Sequence, residues 1–234
     1  STFRVANTAL GTVSFLVLEA VGATVTLSYG FENAVAAILV VGAIIFALGL
    51  PTSYYAAKYG LDIDLLTRGA GFGYIGSTIT SLIYASFTFI FFALEAAIMA
   101  YALELAFHIP PAWGYFICAV VVIPLVTHGV TVISRLQAWT QPLWAALLIL
   151  PFVFLLIEEP EVLNGLFRYA GEDGQGGAFS MPLFGAALSV GIALVTQMGE
   201  QADYLRFMPE CTPKNRRRWW LATIIGGPGW IFPG

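Results

Sequence analysis

Gly76–Ala106 reads GSTITSLIYASFTFIFFALEAAIMAYALELA, an apolar run that holds two acids, Glu95 and Glu104, and no basic residue. About 20 apolar residues carry a helix across the hydrocarbon core of a bilayer, and this run exceeds that length. Working outward from it, further apolar stretches lie near residues 8 to 28, 33 to 50, 112 to 130, 137 to 157 and 180 to 204, and a seventh opens at Trp219. The chain therefore reads as an all-α integral membrane protein with six complete spans and the start of another. Composition agrees: 59% of residues are hydrophobic, 10% are charged and the mean hydropathy is +0.82. Soluble domains carry about 25% charged residues.

The charges orient the chain. With the N-terminus cytoplasmic, the inner segments hold Arg4, Lys58, Arg68, Arg135, Arg206, Lys214, Arg216, Arg217 and Arg218, and Arg168 alone lies outside. The opposite topology would put those nine cations outside, against the positive-inside rule. The acids Glu158, Glu159, Glu161, Glu172 and Asp173 gather in the outer segment, so the net charge of −4 says little about partners. Nucleic-acid binding is not expected, because the Arg216–Arg218 run reads as a topological anchor. The expected location is a plasma membrane of the bacterial inner-membrane kind, with the lipid bilayer as the chain's surroundings.

Cys118 falls in an apolar span and Cys211 in an inner loop, so no disulfide is expected, and with His108 and His128 so dispersed no metal-site spacing arises. The chain starts at Ser1 and stops at Gly234, within the apolar run that begins at Trp219. A span ended part-way would strand carbonyls in hydrocarbon, so the expectation is a piece of a longer polypeptide. The first apolar segment is too long for a cleavable signal peptide, carries Glu19 and is followed at once by another span.

Glu95 is the leading candidate for chemistry. A carboxylate at membrane depth costs about 2.5–3.5 kcal/mol on insertion scales, so it should face a cavity or a partner. Phe91 and Phe87 precede it by four and eight positions and share its helix face, which places an aromatic wall beside an acceptor. The plainer alternative is a Glu95 bonded to a neighbouring helix. Glu19 is the second acid inside a span, three residues before Gly22. If the helix unwinds around Ala20–Ala23, freed carbonyls of Ala20 and Gly22 together with Glu19 would suit a cation; otherwise Gly22 only lets helices pack closely. The sixth span ends in the polar stretch Thr196-Gln197-Met198-Gly199-Glu200-Gln201, where Gly199 suits a helix break and Gln197 offers a donor and an acceptor to a heterocycle. Glu200 is the weaker candidate, since acids near the interface are inexpensive.

Other features read more simply. Gly71-Phe72-Gly73-Tyr74-Ile75-Gly76 matches a dinucleotide-binding fingerprint letter for letter, but it enters a membrane helix rather than following a strand. Its glycines are expected to let the inner loop pack tightly on the bundle. Asp203 and Arg206 are spaced for an ion pair at the inner end of the sixth span. Trp139, Trp144, Trp219 and Trp220 read as interface anchors, and Pro142 and Pro151 as places where the fifth span kinks. No Walker loop, zinc-protease motif or activated nucleophile is present, so an enzyme is not expected.

Three stretches taken in order carry a resemblance. They are Gly30-Phe31-Glu32-Asn33-Ala34 after the first span, Tyr59-Gly60-Leu61-Asp62 with Leu66-Thr67-Arg68-Gly69-Ala70-Gly71-Phe72-Gly73-Tyr74-Ile75-Gly76-Ser77, and Ala202-Asp203-Tyr204-Leu205-Arg206-Phe207. From about residue 10 to the end, the chain resembles the nucleobase:cation symporter-1 family, in its purine-cytosine permease branch. The resemblance implies a leucine-transporter-like inverted-repeat bundle: residues 1–157 as a first five-helix repeat, 158–180 as an outer loop, and 181–234 as helix six and the start of helix seven in a second repeat. It sets Phe91 where many members stack a Trp on the substrate, and Glu95 where they have Gln or Asn; both residues depart from that pattern. The implied function is a cation-coupled permease for a nucleobase or related small nitrogenous compound, with Na+ or H+ as coupling ion and no other cofactor. Phe91, Glu95, Gln197 and Gly199 would bind substrate, and Glu19, Ala20 and Gly22 the cation. The alternative is a transporter-like sensor module, fused to or followed by a signalling domain such as a histidine kinase.

Overall fold

A computed structural model describes residues 1–232; Pro233 and Gly234, the last two positions of the segment 181–234, lie outside the described residues. Every element among the described residues is helical. Five helical runs are long and apolar enough to cross a membrane: Thr2–Tyr29, Phe31–Tyr59, Ile63–Phe107, Thr131–Glu158 and Met181–Leu205. The segment expected as the fourth span is the shorter apolar helix Pro111–Thr127. Its 17 residues sit at the lower limit for crossing.

Two of the five runs are interrupted by 3-10 turns, and Ile63–Phe107 is interrupted by a π-type turn near its start. The first is α1 (Thr2–Leu10), a tight 3-10 turn over Gly11–Ser14, and α2 (Leu16–Tyr29). At the interruption, the Thr12 hydroxyl donates to the Ala9 carbonyl at 3.2 Å and the Ser14 hydroxyl to the Gly11 carbonyl at 2.7 Å. Phe15 then turns extended, with ψ 114°. Short polar side chains compete here with the regular ladder for backbone groups. The break thus lies at Gly11–Phe15 and not at Ala20–Ala23, which are regular turns of α2.

Next come α3 (Phe31–Tyr59), α4 (Ile63–Thr67), a π-type turn over Arg68–Phe72 and the long α5 (Gly73–Phe107). Gly71 at φ 108° and Gly73 at φ 64° take left-handed conformations there. Space around both is open, so their role is the backbone turn itself and not the tight packing expected of them. The fingerprint match therefore has no strand before it and opens a membrane helix. Then follow α6 (Pro111–Thr127), α7 (Val130–Glu158) and the short α8 (Val162–Phe167). Pro142 and Pro151 both lie within the continuous α7.

The second of the runs with 3-10 turns is α9 (Met181–Gly191), a 3-10 stretch over Ile192–Gln197, and α10 (Met198–Leu205). The break precedes Gly199, which sits in the first turn of α10. Last is α11 (Arg216–Gly226), ended by Gly227 and a turn over Pro228–Ile231.

The core is built largely of small residues. Ala6 and Ala9 of α1, Ala56 and Ala57 of α3, Ala202 and Leu205 of α10 and Ala222 of α11 form one buried cluster, where thin side chains let helices approach. Trp219 belongs to this cluster, 1% exposed and donating its indole N–H to the Pro209 carbonyl at 3.0 Å. It is a core residue and not the interface anchor its position suggests; Trp139, at 80% exposure, fits that role better. The segment 158–180 is stitched down rather than loose. The fully buried Asn33 donates to the Tyr29 and Ala178 carbonyls and accepts from the Ser180 N–H at 2.7 Å, while the Glu172 N–H donates to the Leu27 carbonyl at 2.8 Å.

Candidate functional site

The run broken at Ile192–Gln197 reaches the break at Gly11–Phe15. Gln201 of α10 donates its amide to the Thr12 hydroxyl at 3.3 Å, tying the second broken run to the first at its break. Beside this junction lies a cavity of about 580 Å³, walled by α5, α6, α10 and Phe15. Its size suits a small-molecule ligand.

Along α5 the cavity receives Tyr84, Phe87, Thr88, Phe91 and Glu95, whose spacing of three, one, three and four residues is one helix face. The aromatic wall expected there is present. The Phe87 and Phe91 rings are 4.3 Å apart, and Phe15 adds a third ring 6.4 Å from Phe91. Glu95 stands at the end of this wall, half-buried, with Oε1 accepting the Val17 N–H at 3.0 Å. That N–H is in the first turn of α2, where backbone donors lack an intrahelical acceptor and Phe15 supplies no side-chain cap. Glu95 therefore caps a broken helix from a neighbouring one and lines the cavity as well. A carboxylate is well placed at a helix N-terminus, where the helix dipole favours negative charge.

From the opposite side α10 brings Glu200, Asp203 and Tyr204, followed by Arg206 and Phe207. Tyr84 stands beside Asp203, and Tyr204 beside Glu200. Arg206 does not pair with Asp203. Its guanidinium binds the Asp62 carboxylate at 3.0 Å, while Asp203 Oδ1 accepts the Ile63 N–H at 3.4 Å. The loop before α4 is thereby fastened to the C-terminal end of α10. Arg68 does similar work one turn on, donating to Asp64 at 2.7 Å and to the Ser77 hydroxyl at 3.2 Å.

Gln197 and Gly199 lie behind this wall. Gly199 is buried where a Cβ would meet the Tyr84 ring at 2.8 Å, so its absence of a side chain lets α10 close on α5. Gln197 is fully buried with neither amide atom bonded to another group of the protein. An unpartnered amide in the interior is costly and calls for a partner.

Glu19, Ala20 and Gly22 are placed differently. Glu19 and Ala20 are exposed on α2, and the position of a Gly22 Cβ is open space. Their carbonyls are not freed: the Ala20 carbonyl accepts the Thr24 hydroxyl at 2.7 Å and the Gly22 carbonyl accepts the Thr26 hydroxyl at 2.8 Å. The structure does not bring these three into one cluster, because the helix breaks a turn earlier.

Among the cavity residues that escaped the sequence reading of the site are Phe15, Tyr84, Asp203 and Tyr204. Tyr84 was legible, since it continues the face of Phe87, Phe91 and Glu95 toward the N-terminus. Asp203 and Tyr204 follow Glu200 by three and four residues, so one face of α10 carries all three. Phe15 had no such signal, because its placement depends on the break.

No curated protein and no solved structure matches the chain. The sequence profile of one family matches residues 2–232, nearly the whole described length. That family is described as permeases for cytosine/purines, uracil, thiamine and allantoin, and an all-helical membrane bundle with a ring-walled, largely apolar cavity that carries a few polar groups suits such cargo. The chain belongs to this permease family and is a transporter-type membrane protein for nucleobase-like small molecules.

Proposed function

We propose that the chain carries a nitrogen heterocycle across the membrane with a cation, Na+ or H+, and that the cavity between α5 and α10 is where the heterocycle binds. The observation that carries this reading is the juxtaposition in one cavity of the close, tilted Phe87–Phe91 pair and the Glu95 carboxylate. A flat ring stacks on the aromatic wall while its N–H groups donate to the carboxylate oxygen not engaged with Val17. Gln197, unpartnered behind α10, supplies a further donor and acceptor if the broken run moves. The Gln201–Thr12 contact supports coupling of the two runs broken by 3-10 turns, since a shift in one changes the other.

In this reading residues 1–157 form a first repeat, 158–180 an outer segment and 181–234 the opening of a second, with the N-terminus in the cytoplasm. Cation coupling is assigned to the cavity carboxylates and the first break rather than to Glu19, Ala20 and Gly22, whose carbonyls are already engaged. The test is uptake by the full-length protein in proteoliposomes, with radiolabelled cytosine, uracil, a purine, allantoin and thiamine offered under imposed Na+ and H+ gradients. Gradient-driven accumulation of at least one is expected. Binding without uptake of any would favour the sensor reading, and neither binding nor uptake would overturn both.

A further inference from the structure

The cavity has an excess of acid. Three carboxylates line it, Glu95, Glu200 and Asp203, against one guanidinium, Arg206. Arg206 is paired with Asp62, which is not part of the lining, and its remaining field acts on Asp203, so Glu95 and Glu200 are left without a cation of their own. Glu19 adds a further negative charge near Glu95. Hydrogen bonds relieve part of this: Glu95 accepts from Val17, and Asp203 from Ile63. The Val17 N–H adds the partial positive charge of a helix N-terminus, and neither bond brings a full cation. Acids at membrane depth are expensive without a partner.

The second property of the same space is its aromatic wall. Phe87 and Phe91 lie 4.3 Å apart and Phe15 lies across from them, while Tyr84 extends the wall toward α10. Flat rings, charged or neutral, gain buried area by stacking on such a wall. An uncharged ring would gain from the stacking and leave the acids unmatched. A positively charged aromatic ring gains from both.

Resting on the substrate site proposed above, we infer that this cavity selects nitrogen heterocycles that carry a positive charge, of the pyridinium, thiazolium or aminopyridinium kind, over neutral rings of the same shape. Glu95 and Glu200 set that preference from the two ends of the cavity, and Phe91 supplies stacking that serves charged and neutral rings alike.

The experiment is a binding comparison on the full-length protein in nanodiscs at neutral pH with two matched pairs of probes. The first is 1-methylnicotinamide, a fixed cation, against nicotinamide. The second is 4-aminopyridine, protonated at neutral pH, against the neutral 4-aminopyrimidine. The cation of each pair should bind at least about tenfold more tightly. Glu95→Gln and Glu200→Gln should each pull that ratio toward unity, whereas Phe91→Ala should weaken both members of a pair and leave the ratio unchanged. A purely structural role for the two acids would lower thermal stability without moving the ratio. Equal or tighter binding of the neutral probes, or no binding of either cation, overturns the inference. The permease reading stands or falls separately, on whether the uptake panel yields a transported substrate.

Discussion

Glu95 Oε1 accepts the Val17 N–H at the start of α2, so removing its charge and removing its oxygen are different experiments. Glu95→Gln keeps an acceptor in place and should lower stability by less than about 1 kcal/mol; Glu95→Ala leaves a buried donor unmatched and should cost about 1–3 kcal/mol. Thermal melts in detergent of the two variants beside wild type check this, and equal losses would show that the cap is not made. Gly199 gives a second test. A Cβ there meets the Tyr84 ring at 2.8 Å, so Gly199→Ala should destabilise by about 1–3 kcal/mol through overpacking. Adding Tyr84→Ala should recover much of that loss, and strictly additive losses would contradict the contact. How much of this was legible is itself a matter of residue type. The face of Phe87, Phe91 and Glu95 follows from helical spacing alone, whereas the Val17 contact joins residues 78 apart in sequence and no local pattern encodes it.

The interrupted helices show where local reading succeeds and where it fails. Long apolar runs fix where the spans lie, because the bilayer demands length and apolarity and little else. The interruptions are decided by small polar residues whose effect depends on what packs around them. Gly22 and Gly199 were the natural sequence candidates for breaks, yet both sit inside regular helix. The first break falls instead at Gly11–Phe15, where Thr12 and Ser14 hydroxyls return to the backbone. The second falls at Ile192–Gln197, where no glycine lies. Between elements, the Asp62–Arg206 pair fastens the loop before α4 to the end of α10. Both partners are about a third exposed, so the pair itself should contribute no more than about 1 kcal/mol. A double-mutant cycle with Asp62→Asn and Arg206→Gln should show a coupling of about 0.3–1 kcal/mol in melts at low salt that shrinks at high salt. A coupling of zero under both conditions would mean that the pair does not hold the elements together.

The fold as a membrane bundle was evident from composition and charge placement, while the stitching of segment 158–180 was not, since Asn33 reaches residues 178 and 180 only once α3 and α9 are side by side. The orientation argued from the basic residues makes a direct prediction: Glu172 is exposed in the outer segment. In a Cys211→Ser background, Glu172→Cys in intact cells should react with a membrane-impermeant maleimide, and reaction only after permeabilisation would invert the topology. The assignment of the cavity as the transport site is tested most directly by counterflow in proteoliposomes loaded with the transported heterocycle, comparing the full-length wild type with Phe91→Ala and Glu95→Gln at equal, verified insertion. Both substitutions should reduce labelled exchange at limiting substrate by about tenfold or more, Phe91→Ala through lost stacking and Glu95→Gln through the lost charge. Exchange at wild-type rates in both variants would contradict the assignment and place the transport site elsewhere in the bundle.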